Sequence, residues 1–365
     1  MPAIRLLLSH SSALEVIRSW DMRAHFERPE IYRGPVPGQR VTGTELEILE
    51  IGARRVDVRG KQIDLLVADR EARLRSEPFR SHVCSDPLPI GAIYRLPHGI
   101  GCVSPEHVIV QLATELNRLE LQVLMYELLG IYALCPEADG GMFQRCEPIM
   151  TLTSLEAHLD ALGNGFRGVA KVRAALPGVV EGSGSPRETQ VALRCCLKRG
   201  QGGYGIPIQS MNNELPVPRL GKAGIVGVRK PDIVIAAAEG AAAPFSFVAV
   251  EYDGAGHLTP EQQAVDAQRT NEILALNGKE YRINKEIYSD MDQMDDVFGF
   301  IRHDIGLKQK HLTAGERRTA RERRVKLKKD LDFIMSASPI IPSAAERSPN
   351  SDLSRDGTGD LWDCA

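Results

Sequence analysis

Three short apolar runs in the first half of the chain, at 4–8, 62–67 and 92–96, are cut apart by Gly and Pro and predict strands. After them the apolar positions switch to helical spacing. Ser104 suits an N-cap with Pro105 at the first helical position. Val108, Val110, Leu112 and Leu116, followed by the run 119–132, predict two packed helices. Two further short amphipathic helices are expected between 152 and 176, broken at 163–165. The Gly-rich stretch 177–185 then reads as a flexible link, with a domain boundary near residue 180.

The second half opens with Ser185-Pro186-Arg187-Glu188, where Ser185 suits an N-cap and Glu188 has capping-box spacing, so a helix is predicted through Leu197. Strand signals follow at 225–228, leading into 231–235, and at 245–252; an Ala- and Gly-rich turn joins the last two, which predicts an antiparallel pair. Gly254-Ala255-Gly256-His257 turns the chain away. Thr259 and Pro260 begin another helix, which Asn277-Gly278 ends, and 279–283 reads as a returning strand bearing Arg282. The predicted class is α/β. Its organisation is a mixed α+β domain at 1–150, a helical linker at 151–182, a second domain at 183–305, a basic helical segment at 306–335 and a tail of disordered composition at 336–365.

Composition narrows the functional classes. With 365 residues, 43% hydrophobic and 25% charged, the chain can bury two ordinary cores without staples. Its seven cysteines are odd in number and form no C-x-x-C pair, so neither a disulfide framework nor a zinc knuckle is implied, and a reducing cytoplasm fits best. No apolar stretch has membrane-spanning length, and the run at 4–8 is too short for a signal-peptide core. The net charge of −3 hides an asymmetry. Residues 306–329 hold ten Lys or Arg against Glu316 and Glu322, a net of +8, which leaves −11 on the rest. An acidic body with one basic segment must grip any polyanion locally, so the basic segment is expected to touch phosphate.

The chemistry concentrates in the second half. Strand alternation puts Glu251 and Asp253 on one face, and Asp232 is expected near the end of the neighbouring strand. Three acids at one sheet edge repel one another unless a divalent cation neutralises them, and oxygen ligands select Mg²⁺ or Mn²⁺. Asp266 and Arg269, three apart on a helix, can pair with each other or together address a phosphate. There is no Walker loop or dinucleotide fingerprint.

Ser185-Pro186 with Glu188-Thr189, Pro231-Asp232, Val250-Glu251-Tyr252-Asp253-Gly254 with His257, Asp266 with Arg269, and Tyr281-Arg282 together resemble the very-short-patch-repair-like endonuclease domain, over residues 183–305. The resemblance implies a restriction-endonuclease-like fold of the PD-(D/E)-x-K type, a small mixed sheet flanked by helices. It implies Asp232 and Glu251 as metal ligands, with Glu188 extending the acidic cluster. Asp253 stands where most of the superfamily has lysine, His257 would orient or deprotonate water, and Arg269 and Arg282 would hold phosphate. The implied reaction is in-line attack of water on phosphorus in DNA, assisted by Mg²⁺ or Mn²⁺. The N-terminal half is faintly similar to the antitoxin-like regulatory domains of type IV toxin–antitoxin systems, through Arg95-Leu96-Pro97, Cys102-Val103-Ser104-Pro105-Glu106 and the helical run to Tyr132. That similarity implies a toxin–antitoxin partner, although no winged helix-turn-helix is legible in residues 1–40.

Blander readings stand beside these. Glu188 is also what a helix cap alone requires, the three acids could be a solvated hairpin end, and Asp266 with Arg269 could be a surface ion pair. A non-catalytic DNA-binding or antitoxin-like regulator on a degenerate nuclease fold is the alternative to an active nuclease.

Overall fold

The computed structural model describes residues 4–19, 30–38, 47, 50–53, 62–74, 78–135, 138–219, 225–254, 260–308 and 311–336. It is a mixed α/β chain, as the pattern predicts. In the first half, β1 (Leu6–Leu8) is the central strand of a five-stranded sheet. Its order is β3 (Phe79–Val83), β2 (Ile63–Val67), β1, β5 (Ile100–Val103), β4 (Ile93–Arg95). β1 runs parallel to β5 and antiparallel to β2, while β2 and β3 are parallel. The helix α1 (His10–Ser19) follows β1, and α2 (Pro105–Leu112) begins at Ser104, whose hydroxyl accepts from His107 N. α3 (Arg118–Leu128) ends earlier than the sequence suggests: Tyr132 belongs to β6 (Tyr132–Leu134), which pairs with β7 (Met142–Gln144).

α4 (Leu152–Leu162) and α5 (Val169–Ala175) match the two expected amphipathic helices. The stretch after them is pinned, not a flexible link. Tyr126 Oη donates to Gly178 O at 2.8 Å, Gly182 N to Leu129 O at 3.0 Å and Ile131 N to Ser183 O at 2.8 Å. Gly182 has φ +88°, and a Cβ there would lie 2.6 Å from Met211 O, so the glycine is required by a close approach. One continuous set of buried apolar side chains, from Ile4 just before β1 to Leu331, joins both halves across this segment.

In the second half, α6 (Pro186–Cys196) leads to a hairpin of β8 (Leu215–Pro218) and β9 (Val226–Arg229). β9 does not run on into the next strand, as the sequence suggested; its partner is β8, and β10 (Ile233–Ala236) starts afresh after Pro231. β10 pairs antiparallel with β11 (Phe247–Asp253), and β11 pairs parallel with β12 (Gly278–Asn284) across the connecting helix α7 (Pro260–Leu274). The short α8 (Lys285–Ser289) and α9 (Met291–Asp304) close the unit. Arg194, fully buried in α6, donates to Tyr288 O at 2.8 Å and lies over the Tyr288 ring, so it ties α6 to α8.

The basic segment folds as α10 (Ala314–Ser336) and docks on the protein, with Leu327 and Leu331 buried. Several of its cations face acids of this same chain. Arg324 meets Asp295 at 2.8 Å, Arg321 pairs with Asp292, and Lys328 pairs with Asp332 at 2.7 Å. Two cations of the run expected to reach for phosphate are therefore held by the acidic face of α9, while others, among them Arg318 and Arg323, stay exposed. Truncating Leu331 to Ala is expected to cost about 2–5 kcal/mol in urea denaturation of the full chain. A loss under about 0.5 kcal/mol would mean that the helix does not belong to the core. No helix among the described residues is long and apolar enough to cross a membrane.

Candidate functional site

The register of the second sheet assembles the acids. Ile233 pairs with Val250, so Asp232, one step earlier, stands opposite Glu251. Tyr252 N donates to Asp232 Oδ2 at 2.7 Å, which holds that carboxylate at the sheet edge. On the other side of β11, Glu251 pairs with Arg282 and Asp253 with Asn284. Strand alternation then puts Asp232, Glu251, Asp253 and Arg282 on one face, together with Glu280, two positions before Arg282.

Glu188 approaches from the first turn of α6. Ser185 Oγ accepts from Glu188 N at 3.2 Å, and the Glu188 carboxylate accepts from Gly184 N at 2.7 Å and Asn212 Nδ2 at 2.6 Å. It therefore serves the helix start and lies within the field of the acid pair. Burial raises the Glu188 carboxyl above its usual range, against those hydrogen bonds. Burial, and then the charge of Glu188, push the Asp232 carboxyl up to about 7, although the Tyr252 amide opposes this. Glu251 is pushed up to about 8 by burial, then by Asp232 and Glu280, with Arg269 and Arg282 acting in the opposite sense. Such elevation is what burial and neighbouring negative charge produce in a carboxyl group.

Arg282 Nε meets Glu280 Oε1 at 2.7 Å. Glu280 is the site residue that sequence reasoning missed; the signal was its two-residue spacing from Arg282 on one strand. Arg269 acts on Glu251 from α7. Behind it on the same helix, Glu272 is fully buried and accepts from Gln268 at 2.8 Å, Arg229 at 2.7 Å and Arg219 at 3.3 Å. This buried carboxylate straps α7 to the β8–β9 hairpin, whose end leads directly into Pro231-Asp232. His257 lies outside the described residues, and of Asp266 only its place in α7 is described.

Among the described residues no three His, Cys, Asp or Glu side chains stand gathered as a set able to hold a metal ion. The chemistry of the donors nonetheless fits a hard divalent cation, because Asp232 and Glu251 offer oxygen ligands and an excess of negative charge at one edge. Glu188 fits less directly, since its Oε2 is already taken by two donors.

The elevated acids give a pH prediction. The folded protein holds protons that the unfolded chain releases, so this contribution favours the fold at acid pH and is lost as the pH climbs through about 7 and about 8. A divalent cation relieves the repulsion only where the acids are ionised. About 10 mM MgCl₂ should therefore raise the melting temperature clearly at about pH 8.5 and hardly at about pH 6. Equal shifts at both pH values in differential scanning fluorimetry would contradict this placement of the acids.

No family profile, curated protein or solved structure matches this chain.

Proposed function

We propose that the second half of the chain is a metal-dependent phosphodiesterase, and more particularly that residues 183–305 form a restriction-endonuclease-like domain that hydrolyses DNA. The observation that carries this reading is the pairing of Asp232 with Glu251 across adjacent strands, each raised by burial and then by neighbouring acids, with Arg269 and Arg282 acting on Glu251. The element order supports it: a helix bearing an acid, an antiparallel strand pair bearing two, a crossover helix, and a parallel strand bearing an arginine.

In this reading Asp232 and Glu251 hold Mg²⁺ or Mn²⁺, and Glu188 adds negative charge just outside them. The cation, when bound, makes water a better nucleophile and balances charge on the phosphate. Arg282, released from Glu280, and Arg269 position the phosphate oxygens. The protons shared by the acid pair near neutral pH must leave before the cation is held, so cleavage should rise with pH. Asp253 occupies the place of the superfamily's lysine, so in this reading proton transfer falls to His257. DNA as substrate and the free thiols of the described cysteines fit a reducing cytoplasm. Purified full-length protein with Mg²⁺ or Mn²⁺ is expected to nick or cut plasmid DNA; all DNA forms left intact would reject the catalytic reading.

A second reading has its own support. Among the described residues the acids are not gathered as a ready metal set, and position 253 is Asp, not Lys. A degenerate nuclease fold serving as a DNA-binding, antitoxin-like regulator with a toxin partner would show metal-independent, salt-sensitive DNA binding that survives Glu251→Ala, without cleavage.

A further inference from the structure

A second polar cluster lies in the N-terminal half, where β1 turns into α1, and the nuclease reading makes no use of it. The turn is Ser9-His10-Ser11-Ser12. His10 sits at φ +47°, a left-handed conformation that costs a non-glycine residue roughly 1 kcal/mol and persists only where surrounding contacts hold it. Those contacts come from the adjacent Ser9 and from two other elements. The His10 ring stacks on His82 of β3 at 3.6 Å, its Nδ1 lies 3.1 Å from Ser9 Oγ, and its backbone N donates to Gln111 Oε1 of α2 at 2.9 Å. Asp64 of β2, 1% exposed, accepts from Arg80, from Ser11 Oγ and from His82 Nε2 at 2.9 Å.

The hydrogen-bond capacity of this cluster is lopsided. Its acceptors are taken: both oxygens of Asp64 have donors, and Gln111 Oε1 caps α1. A donor is left over. Gln111 is only 7% exposed, and its Nε2, in the same amide that caps the helix, has no partner. A buried N–H without an acceptor costs about 1–3 kcal/mol, so the position calls for one. Cations also converge there. Arg80, matched by Asp64, and the exposed Arg167 both act on His10, and the N-terminus of the ten-residue α1 adds its own partial positive charge. Glu115, which acts on Arg80, is a carboxylate at the rim, and the neutral pair His107 and His158, 3.1 Å apart, backs the cluster.

We propose that this cluster is a binding site for an oxyanion carried by a small molecule, a phosphate or carboxylate group. Gln111 Nε2 supplies the buried donor, and Arg80 and Arg167 supply charge-assisted ones. The site is separate from the acid cluster and does not depend on the nuclease reading, so the N-terminal half becomes a ligand-responsive unit in its own right.

The test is calorimetric titration of the metal-free full-length protein with inorganic phosphate and, separately, with acetate, at constant ionic strength. Side-chain amide signals of Gln111 are followed by NMR in parallel. Saturable one-to-one binding of one probe is expected, with Kd at or below about 1 mM. The tighter probe identifies the group as phosphate or carboxylate. Arg167→Ala, at an exposed position that should not disturb folding, should weaken binding at least about tenfold, or about 1.4 kcal/mol. Gln111→Leu should abolish it, and Asp232→Ala should leave it unchanged. No saturation with either probe up to about 20 mM, an unmoved Gln111 signal, or equal affinity in Arg167→Ala would overturn the proposal.

Discussion

Replacing Asp232 with alanine is expected to lower metal-dependent DNA cleavage by about a thousandfold, in the range seen when one preorganised charge is removed from a reacting centre. Asp232 is the residue on which the local geometry converges: it faces Glu251, accepts from the Tyr252 amide, and feels the charge of Glu188. The same substitution should have an opposite effect on stability. With Asp232 gone, Glu251 loses the acid that acts on it most strongly, so the metal-free variant should melt higher than the parent at about pH 8.5 and show little difference at about pH 5. Loss of activity with gain of stability separates a functional acid from a structural one. Asp232→Asn refines the test, because it keeps the oxygen that accepts from Tyr252 and removes only the charge. A rate loss smaller than about tenfold in both variants would take Asp232 out of the mechanism.

The second large effect concerns the fold. Glu127 of α3 is fully buried, and Arg18 of α1 meets it as a fork, with Nε and Nη2 each 2.6 Å from a carboxylate oxygen. Leu134 N adds a third donor at 3.0 Å. Glu127→Ala takes the fork away from a guanidinium that is only 11% exposed and leaves the β6 amide without its acceptor, so a loss of about 3–5 kcal/mol is expected in urea denaturation. Replacing both partners, Arg18→Met with Glu127→Leu, should recover much of that loss, because the penalty belongs to a buried charge that has lost its fork and not to the absence of a salt bridge. A single-variant loss under about 1 kcal/mol would mean that the pair is solvated.

What could be read from the sequence were the features written locally. Ser104 and Ser185 cap their helices as their spacing to Pro and to the following amides requires, and period-two alternation in 247–253 put Glu251 and Asp253 on one face before any partner was known. What escaped depends on register between distant segments. Glu280 joins the site only because β12 lies beside β11, and Glu272 becomes a buried strap only when α7 lands on the hairpin bearing Arg219 and Arg229. β3 was missed because Arg80, Ser81 and His82 dilute its apolar signal, yet two of these serve the Asp64 cluster. Likewise, the glycines of 177–185 spell flexibility in isolation. In place they let the chain approach Met211 and Cys196 closely, and the charges of α10 reveal their partners only once Asp292 and Asp295 are opposite them.

The most direct test of the central claim is single-turnover cleavage of end-labelled DNA by the full-length protein. Rates with Mg²⁺, Mn²⁺ and excess chelator are compared between the parent and an Asp232→Ala, Glu251→Ala double variant. The expected result is cleavage by the parent that needs the divalent ion and rises with pH, with none by the double variant. DNA left intact by both, or cut by both at the same rate, would contradict it.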